Sequence, residues 1–217
     1  MSKKVVASIP LWKRIFFSPI ILEKSQAQKL AYVGVMTALC IISNFFEIKL
    51  PDSQISLTIF TSMLTGILLG PAFGMVAAFF GDALAFLAQP GGFVYMPWIG
   101  VSVAVMALIA GLIMKLPLSF RGSMYVKITI ACVLCLLICS ICINTTGMYF
   151  YYSKIGFSAK TLNKLQEHFG GVNTYWTYAA MRMFYSGQLI NNVVNFALLF
   201  IVLPVLKSIK PLKLEIR

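Results

Sequence analysis

Long apolar stretches separated by short polar breaks constrain the fold of this chain more than any other feature of its sequence. A hydrocarbon core about 30 Å thick requires roughly 20 apolar residues in a spanning helix, and a helix satisfies its own backbone hydrogen bonds there. The chain is 59% hydrophobic and only 11% charged, with a mean hydropathy of +0.87. These values exclude a soluble globular fold and predict an all-α integral membrane protein.

The breaks divide the apolar sequence into about six predicted transmembrane helices. The spans are expected near 27–46, 55–69, 71–88, 95–115, 125–149 and 175–206. We predict a polar outer turn at 47–52, a tight inner turn at Gly70 and Pro71, and a short outer helix at 158–169. Small and hydroxylated residues are frequent in spans two and three, which indicates close helix packing in lipid.

The basic residues predict the orientation of the chain and argue against a nucleic-acid partner. The net charge is +12, but most of it falls in three segments that the positive-inside rule assigns to the cytoplasm. These residues are Lys3, Lys4, Lys13, Arg14, Lys24 and Lys29, then Lys115, Arg121 and Lys127, then Lys207, Lys210, Lys213 and Arg217. The remaining basic residues are assigned to the outer side: Lys49, Lys154, Lys160, Lys164 and Arg182. Both termini are therefore predicted to be cytoplasmic, in a multi-pass membrane protein.

The start of the chain does not resemble a signal peptide, because Lys13 and Arg14 interrupt its apolar residues and no small-residue cleavage site follows. We predict a cytoplasmic amphipathic arm at 1–26, lying on the membrane surface. Its apolar side is formed by Leu11, Trp12, Ile15, Phe16 and Phe17. A six-helix substrate-binding domain at 27–208 and a basic cytoplasmic tail at 209–217 complete the predicted organisation.

The sequence lacks the motifs of a pump, a metalloprotease or a metal-dependent enzyme. No GxxxxGK[ST] phosphate loop and no HExxH motif is present, and the single histidine is His168. Cys132, Cys135, Cys139 and Cys142 share one helical face, but four ligands on one helix cannot surround a metal tetrahedrally, so we interpret them as packing residues. We predict no enzymatic activity, no metal and no cofactor, and any ATP must be used by a partner.

Asp82 is the one acidic residue within a predicted span. Charged groups in hydrocarbon are costly and are therefore candidates for function. One interpretation is a proton site. The other is structural: the carboxylate accepts hydrogen bonds from neighbouring hydroxyl groups and fixes helix packing. The sequence leaves both open.

A group of polar and aromatic residues is predicted at the outer ends of spans four, five and six. Arg182 is the cation of this group, and its guanidinium geometry suits a carboxylate. Flat aromatic walls with a few polar groups are typical of small-molecule sites. The predicted substrate-binding residues are Arg182, Gln188, Asn144, Tyr95, Trp98, Phe93 and Asn191. Asn195 shares a helical face with Gln188 and Asn191 and is assigned to helix packing.

Several segments, taken in order, resemble the substrate-binding S components of energy-coupling factor (ECF) vitamin transporters, and within them the folate-type branch. The resemblance extends from Lys29 over nearly all the remaining chain. It rests on LAYVGVMTAL (30–39), LGPAFG (69–74), GD (81–82), QPGG (89–92), INT (143–145) and the segment 182–190.

The resemblance implies a six-helix protein that binds its vitamin from outside, while a transmembrane coupling subunit and two ATPase subunits drive import. It also implies that small residues of span one contact the coupling subunit. The matching positions are Gly34 and Ala38, with Ala27 and Ala31 one turn earlier. Ordinary small-xxx-small packing within the chain is the alternative.

Three hypotheses for function follow. The first is an S component for folate or a related flat anionic vitamin. The second is an S component for another compound, such as riboflavin, pantothenate, a thiamin precursor or a queuosine precursor. The third, which rests on Asp82, is a proton-coupled transporter that acts alone.

Overall fold

A computed structural model describes residues 10–209, except 23, 50–53, 89–93, 119 and 121. The described elements are α1 (Leu11–Phe16), α2 (Pro19–Leu22), α3 (Gln26–Phe45), β1 (Glu47–Lys49), β2 (Gln54–Ser56), α4 (Thr58–Leu69), α5 (Pro71–Ala88), α6 (Pro97–Ile113), α7 (Ser123–Ile155), α8 (Ala159–Phe169), α9 (Tyr175–Ala180), a π-helical turn (Met181–Tyr185) and α10 (Gln188–Ser208).

The expected α-helical membrane fold is confirmed. Among the described residues, α3, α5, α7 and α10 are long and apolar enough to cross a membrane, and α4 and α6 are shorter apolar helices. The 12 residues of α4 give a length of about 18 Å, less than a hydrocarbon core. Six spans and cytoplasmic termini therefore remain predictions.

Glycine residues let α4, α5 and α6 approach each other closely; the small residues of spans two and three predicted this for α4 and α5. A side-chain carbon added at Gly66 would lie 2.6 Å from the carbonyl carbon of Ala107 in α6. One added at Gly74 would lie 2.5 Å from the Cα of Gly66, and one at Gly111 2.6 Å from the Gly66 carbonyl oxygen. Backbones in contact maximise packing where lipid removes the hydrophobic drive for association.

Helix α3 packs on this core with one side and leaves the other exposed. Ser25 caps its start, and its buried residues are Met36, Cys40 and Ser43. The hydroxyl groups of Ser43 and Thr61 are 2.8 Å apart and share a hydrogen bond between α3 and α4. The remaining surface of α3 is mostly exposed.

The segment before α4 is a β-hairpin, where the sequence predicted only a polar turn and an earlier start of span two. Ile48 pairs with Ile55 in antiparallel register. Two amides of α10 bind this backbone: Asn191 Oδ1 accepts from Ser56 N at 3.0 Å, and Asn195 Nδ2 donates to Ser56 O at 2.7 Å. Irregular backbone is tolerated at membrane depth when protein groups satisfy it in this way.

Span six is not the single helix predicted over 175–206. After α9 the chain makes the π-helical turn, breaks at Ser186 and Gly187, and resumes as α10. Gly187 has a φ of 74°, a left-handed conformation that glycine adopts without a Cβ penalty.

The N-terminal arm is docked on the ends of α4, α5 and α6. Ile21 is fully buried in the main core, and Ser18 N donates to Leu69 O at 3.2 Å. Lys115 Nζ donates to Ile15 O and Phe17 O, each at 2.8 Å, and to a third carbonyl in α1. Burial lowers the pKa of Lys115 to about 8, so the ammonium form still predominates at pH 7.

Gly70 makes this docking feasible. Its φ is +89°, and an added side-chain carbon would lie 2.5 Å from the backbone nitrogen of Ser18. The turn between α4 and α5 therefore needs glycine both for its conformation and for the approach of the arm. Residues 1–9 and the tail 210–217 lie outside the described residues.

Candidate functional site

Arg182, in the π-helical turn after α9, contacts Asn144 of α7. One guanidinium nitrogen donates to the Asn144 side-chain oxygen at 3.3 Å and another to the Asn144 carbonyl at 3.4 Å. The guanidinium also interacts with Tyr178 and Tyr152. No acidic side chain forms an ion pair with Arg182 within the described part of the chain. The site therefore contains a cation held by neutral groups.

Both residues lie in π-helical backbone, which recurs at functional sites. Residues Cys135–Thr145 form the π segment of α7, and Arg182 lies in the turn after α9. Neighbouring side chains bind the displaced carbonyl groups of α7: Ser102 donates to Cys139 O at 3.1 Å, and Tyr175 donates to Ile141 O at 3.4 Å. The hydrogen bond from Arg182 to Asn144 O belongs to the same set.

An aromatic cluster adjoins Arg182 through Tyr178 and Tyr152. Its centre is Tyr149, whose ring centroid lies 5.6 Å from both Tyr175 and Tyr178. Phe157 lies 5.4 Å from Tyr178 and 6.3 Å from Tyr152. Such edge and tilted arrangements are favourable for aromatic pairs. The cluster gives the site rigid aromatic walls with hydroxyl groups close to the cation.

Trp98 extends these walls from α6. Its ring lies 5.6 Å from that of Tyr151, and Gly147 is the residue that allows this contact, because an added side-chain carbon would collide with the indole. The indole nitrogen is buried and has no hydrogen-bond partner among the described residues. A buried donor without a partner is costly and is suited to binding an acceptor atom of a ligand.

Tyr95 is occupied by a different partner. Its hydroxyl donates to Asp82 Oδ2 at 3.2 Å, and its ring packs 5.1 Å from Phe86. This contact corresponds to the structural interpretation of Asp82.

The other predicted binding residues are dispersed. Asn191 binds the hairpin backbone, and Asn195, assigned to packing, accepts from Phe60 N at 2.8 Å in addition to its Ser56 contact. Gln188 begins α10 after the break. Phe93 lies outside the described residues. Tyr152 and Tyr178 were not among the predicted site residues, although the YFYY segment at 149–152 and the i, i+4 spacing of Tyr178 and Arg182 indicate aromatic groups near the arginine.

The proposed coupling residues all lie on the exposed side of α3. Ala27, Ala31, Gly34 and Ala38 are exposed, and a side-chain carbon added at Gly34 would meet no atom within 4 Å. These residues therefore form no close helix packing inside the described chain. A smooth strip of small residues is left on the surface.

The cysteines of α7 are free thiols in the described structure. Cys132, Cys135 and Cys139 are buried in the main core, and Cys142 is exposed. The described residues contain no cluster of three or more histidine, cysteine or acidic side chains that could hold a metal ion.

The fold and site define an α-helical membrane protein with an aromatic, cationic site. The site lies on the side of the protein that the sequence predicts to face outward. A family model described as ECF-type riboflavin transporter, S component, matches residues 24–172, well over half of the chain. The chain belongs to this family, whose members are transporter components and not enzymes. The match extends from the start of α3 to just beyond α8 and ends before Arg182. No curated protein matches the chain.

Proposed function

We propose that this protein is the substrate-binding S component of an ECF-type importer in a bacterial plasma membrane and that it captures a flat heteroaromatic vitamin from outside. Riboflavin is the first candidate cargo, because the matching family model bears that name. The observation that carries the proposal is the pairing of Arg182 with Asn144 beside tyrosine rings. The free indole donor of Trp98 adds a second polar contact near the same walls.

Folate is the second candidate, and one feature of the site favours it. Arg182 lacks an acidic partner among the described residues, so a ligand carboxylate would supply the missing countercharge. Riboflavin is neutral and would use the same guanidinium only as a donor to a carbonyl group. The two candidates therefore differ in how strongly they depend on the charge of Arg182.

Energy must come from other subunits, and we propose the exposed strip of α3 as their contact. Ala27, Ala31, Gly34 and Ala38 would pack against the transmembrane coupling subunit, which associates with two ATPase subunits. Close approach of helices over small residues is a general mode of association in membranes. Their exposure supports this assignment over packing within the chain.

The direct test is equilibrium binding to the purified full chain in detergent without ATP. Riboflavin is titrated by its own fluorescence, and folate by calorimetry. Each is repeated with Arg182→Gln, and with Lys154→Gln as a matched control at the exposed outer end of α7. We expect one of the two vitamins to bind the wild-type protein. The Lys154→Gln variant should bind that vitamin with unchanged affinity.

The variant distinguishes the candidates. Losing a charge-assisted hydrogen bond costs about 1.5–3 kcal/mol, so Arg182→Gln should weaken folate roughly 10- to 150-fold, whereas riboflavin should weaken less than about tenfold. If neither vitamin nor the other compounds considered above bind the wild-type protein, the proposed function is wrong. Equal binding by wild type and Arg182→Gln would remove Arg182 from the site.

A further inference from the structure

A groove on the arm side of the protein is separate from the vitamin site. It encloses about 530 Å³ between the docked arm, the start of α3 and Phe73 of α5. That volume is in the range of small-molecule sites, roughly 300–1,000 Å³. The positive-inside rule assigns this side to the cytoplasmic leaflet.

The walls of the groove are apolar and partly aromatic. They are formed by Trp12, Phe17, Ile21, Leu22 and Phe73. The Phe17 and Phe73 rings lie 5.0 Å apart, and Trp12 lies 6.3 Å from Phe17 in an edge-to-face arrangement. These contacts hold the walls in place, and such a surface is suited to a hydrocarbon chain.

Two lysines give the groove a positive charge. Lys13 of α1 and Lys29 in the first turns of α3 both line it, and no described acidic residue does. Lys13 Nζ lies 5.4 Å from the centroid of the Trp12 ring, which leaves the cation at the groove surface. Neither lysine forms an ion pair with another described residue. The groove thus combines apolar walls with a cationic edge that no acidic residue of the described chain neutralises.

We propose that this groove binds one anionic phospholipid of the adjacent leaflet, with an acyl chain along the aromatic walls and the phosphate beside Lys13 and Lys29. Two observations favour a lipid over a soluble ligand. The groove has both the apolar and the cationic part that a phospholipid requires. In addition, Trp12, Ile15 and Phe16 are exposed on the same arm, and aromatic residues of this kind are enriched at membrane interfaces. The lipid would bridge the arm to α3.

The test uses the full chain in lipid nanodiscs. Brominated phosphatidylglycerol or brominated phosphatidylcholine with identical acyl chains is added, and quenching of tryptophan fluorescence is measured. Trp12→Phe identifies the part of the signal that arises in the groove. Each lysine near an anionic lipid contributes about fivefold in affinity. We expect the Trp12 signal to show a preference for phosphatidylglycerol of at least about fivefold.

The double variant Lys13→Gln/Lys29→Gln should lose the preference for phosphatidylglycerol. It should retain the weaker quenching by phosphatidylcholine, which shows that its groove is still folded. Lys154→Gln/Lys160→Gln, a double substitution in α7 and α8, should retain the preference. Equal quenching by both lipids in the wild type, as expected if a protein partner and not lipid covers the groove, would overturn the proposal. So would a preference retained in the groove variant, or displacement of the lipid by an equal concentration of inorganic phosphate.

Discussion

The closest backbone contact in the core gives a stability prediction in which two effects of opposite sign compete. In Gly66→Ala, the new methyl group would lie 2.6 Å from the carbonyl carbon of Ala107 and 2.7 Å from its Cα. Carbon atoms at optimal contact are about 3.5–4.0 Å apart, so α4 and α6 must separate by roughly 1 Å. Neither atom belongs to a side chain that can rotate away.

Overpacking typically costs about 1–3 kcal/mol, and backbone on both sides places this case near 3 kcal/mol. Alanine is favoured over glycine by about 1 kcal/mol within a helix. The expected net loss is therefore about 2 kcal/mol. Gly34→Ala is the matched control, because Gly34 is also helical but an added side-chain carbon meets no atom within 4 Å. The control receives the same helical gain and no collision, which leaves the two variants about 3 kcal/mol apart.

Thermal unfolding of the purified protein in one detergent measures this difference. For chains of this size, 1 kcal/mol corresponds to about 2–4 °C in Tm, so Gly66→Ala should unfold about 6–12 °C below Gly34→Ala. Both variants replace a helical glycine by alanine, so the gain in helix propensity cancels when their melting temperatures are compared. Melting temperatures within about 2 °C of each other would refute the role of the Gly66 contact.

Three further predictions concern the hairpin, the indole donor and the arm. Asn195→Ala leaves Phe60 N–H and Ser56 C=O without their partner and should destabilise the protein by about 2–4 kcal/mol, measured by thermal unfolding; an unchanged Tm contradicts it. Trp98→Phe should leave the Tm of the ligand-free protein unchanged but weaken vitamin binding about 3- to 10-fold, measured by titration. Lys115→Met removes the donor to three carbonyls of the arm and should accelerate trypsin cleavage within α1; cleavage at the wild-type rate would show that Lys115 does not hold the arm.

The sequence predicted the parts of the fold that depend on local composition. Residues 71–88 were predicted as a span and form α5, because an apolar segment after an N-terminal proline specifies a membrane helix by itself. The short helix predicted at 158–169 appears as α8, with Leu165 buried against Tyr178 and Met181. The abundance of small residues in α4 and α5 likewise indicated their close packing.

Features that depend on distant partners were not predictable from the sequence. The hairpin before α4 is bound by amides about 135 positions later in the chain, at Asn191 and Asn195. The π segment of α7 requires donors from α6 and α9, and neither Ser102 nor Tyr175 signals that role locally. Arg182 and Asn144 were predicted to lie at a similar depth in the membrane, which partly predicted their contact. Their tyrosine neighbours depend on the helical register of the backbone, which the sequence does not reveal.

The distribution of packing also bears on how binding and energy use would be separated in this protein. Helix α6 contacts both the glycine-packed core, through Gly111, and the π segment next to the proposed vitamin site, through the Ser102 hydrogen bond to Cys139 O. The exposed strip of α3 lies on another side of that core and shares no residue with the aromatic walls. A partner on α3 would therefore not compete with the cargo for contacts. Any coupling between them must pass through the close-packed α4, α5 and α6, where a displaced backbone cannot be absorbed by side-chain rotation.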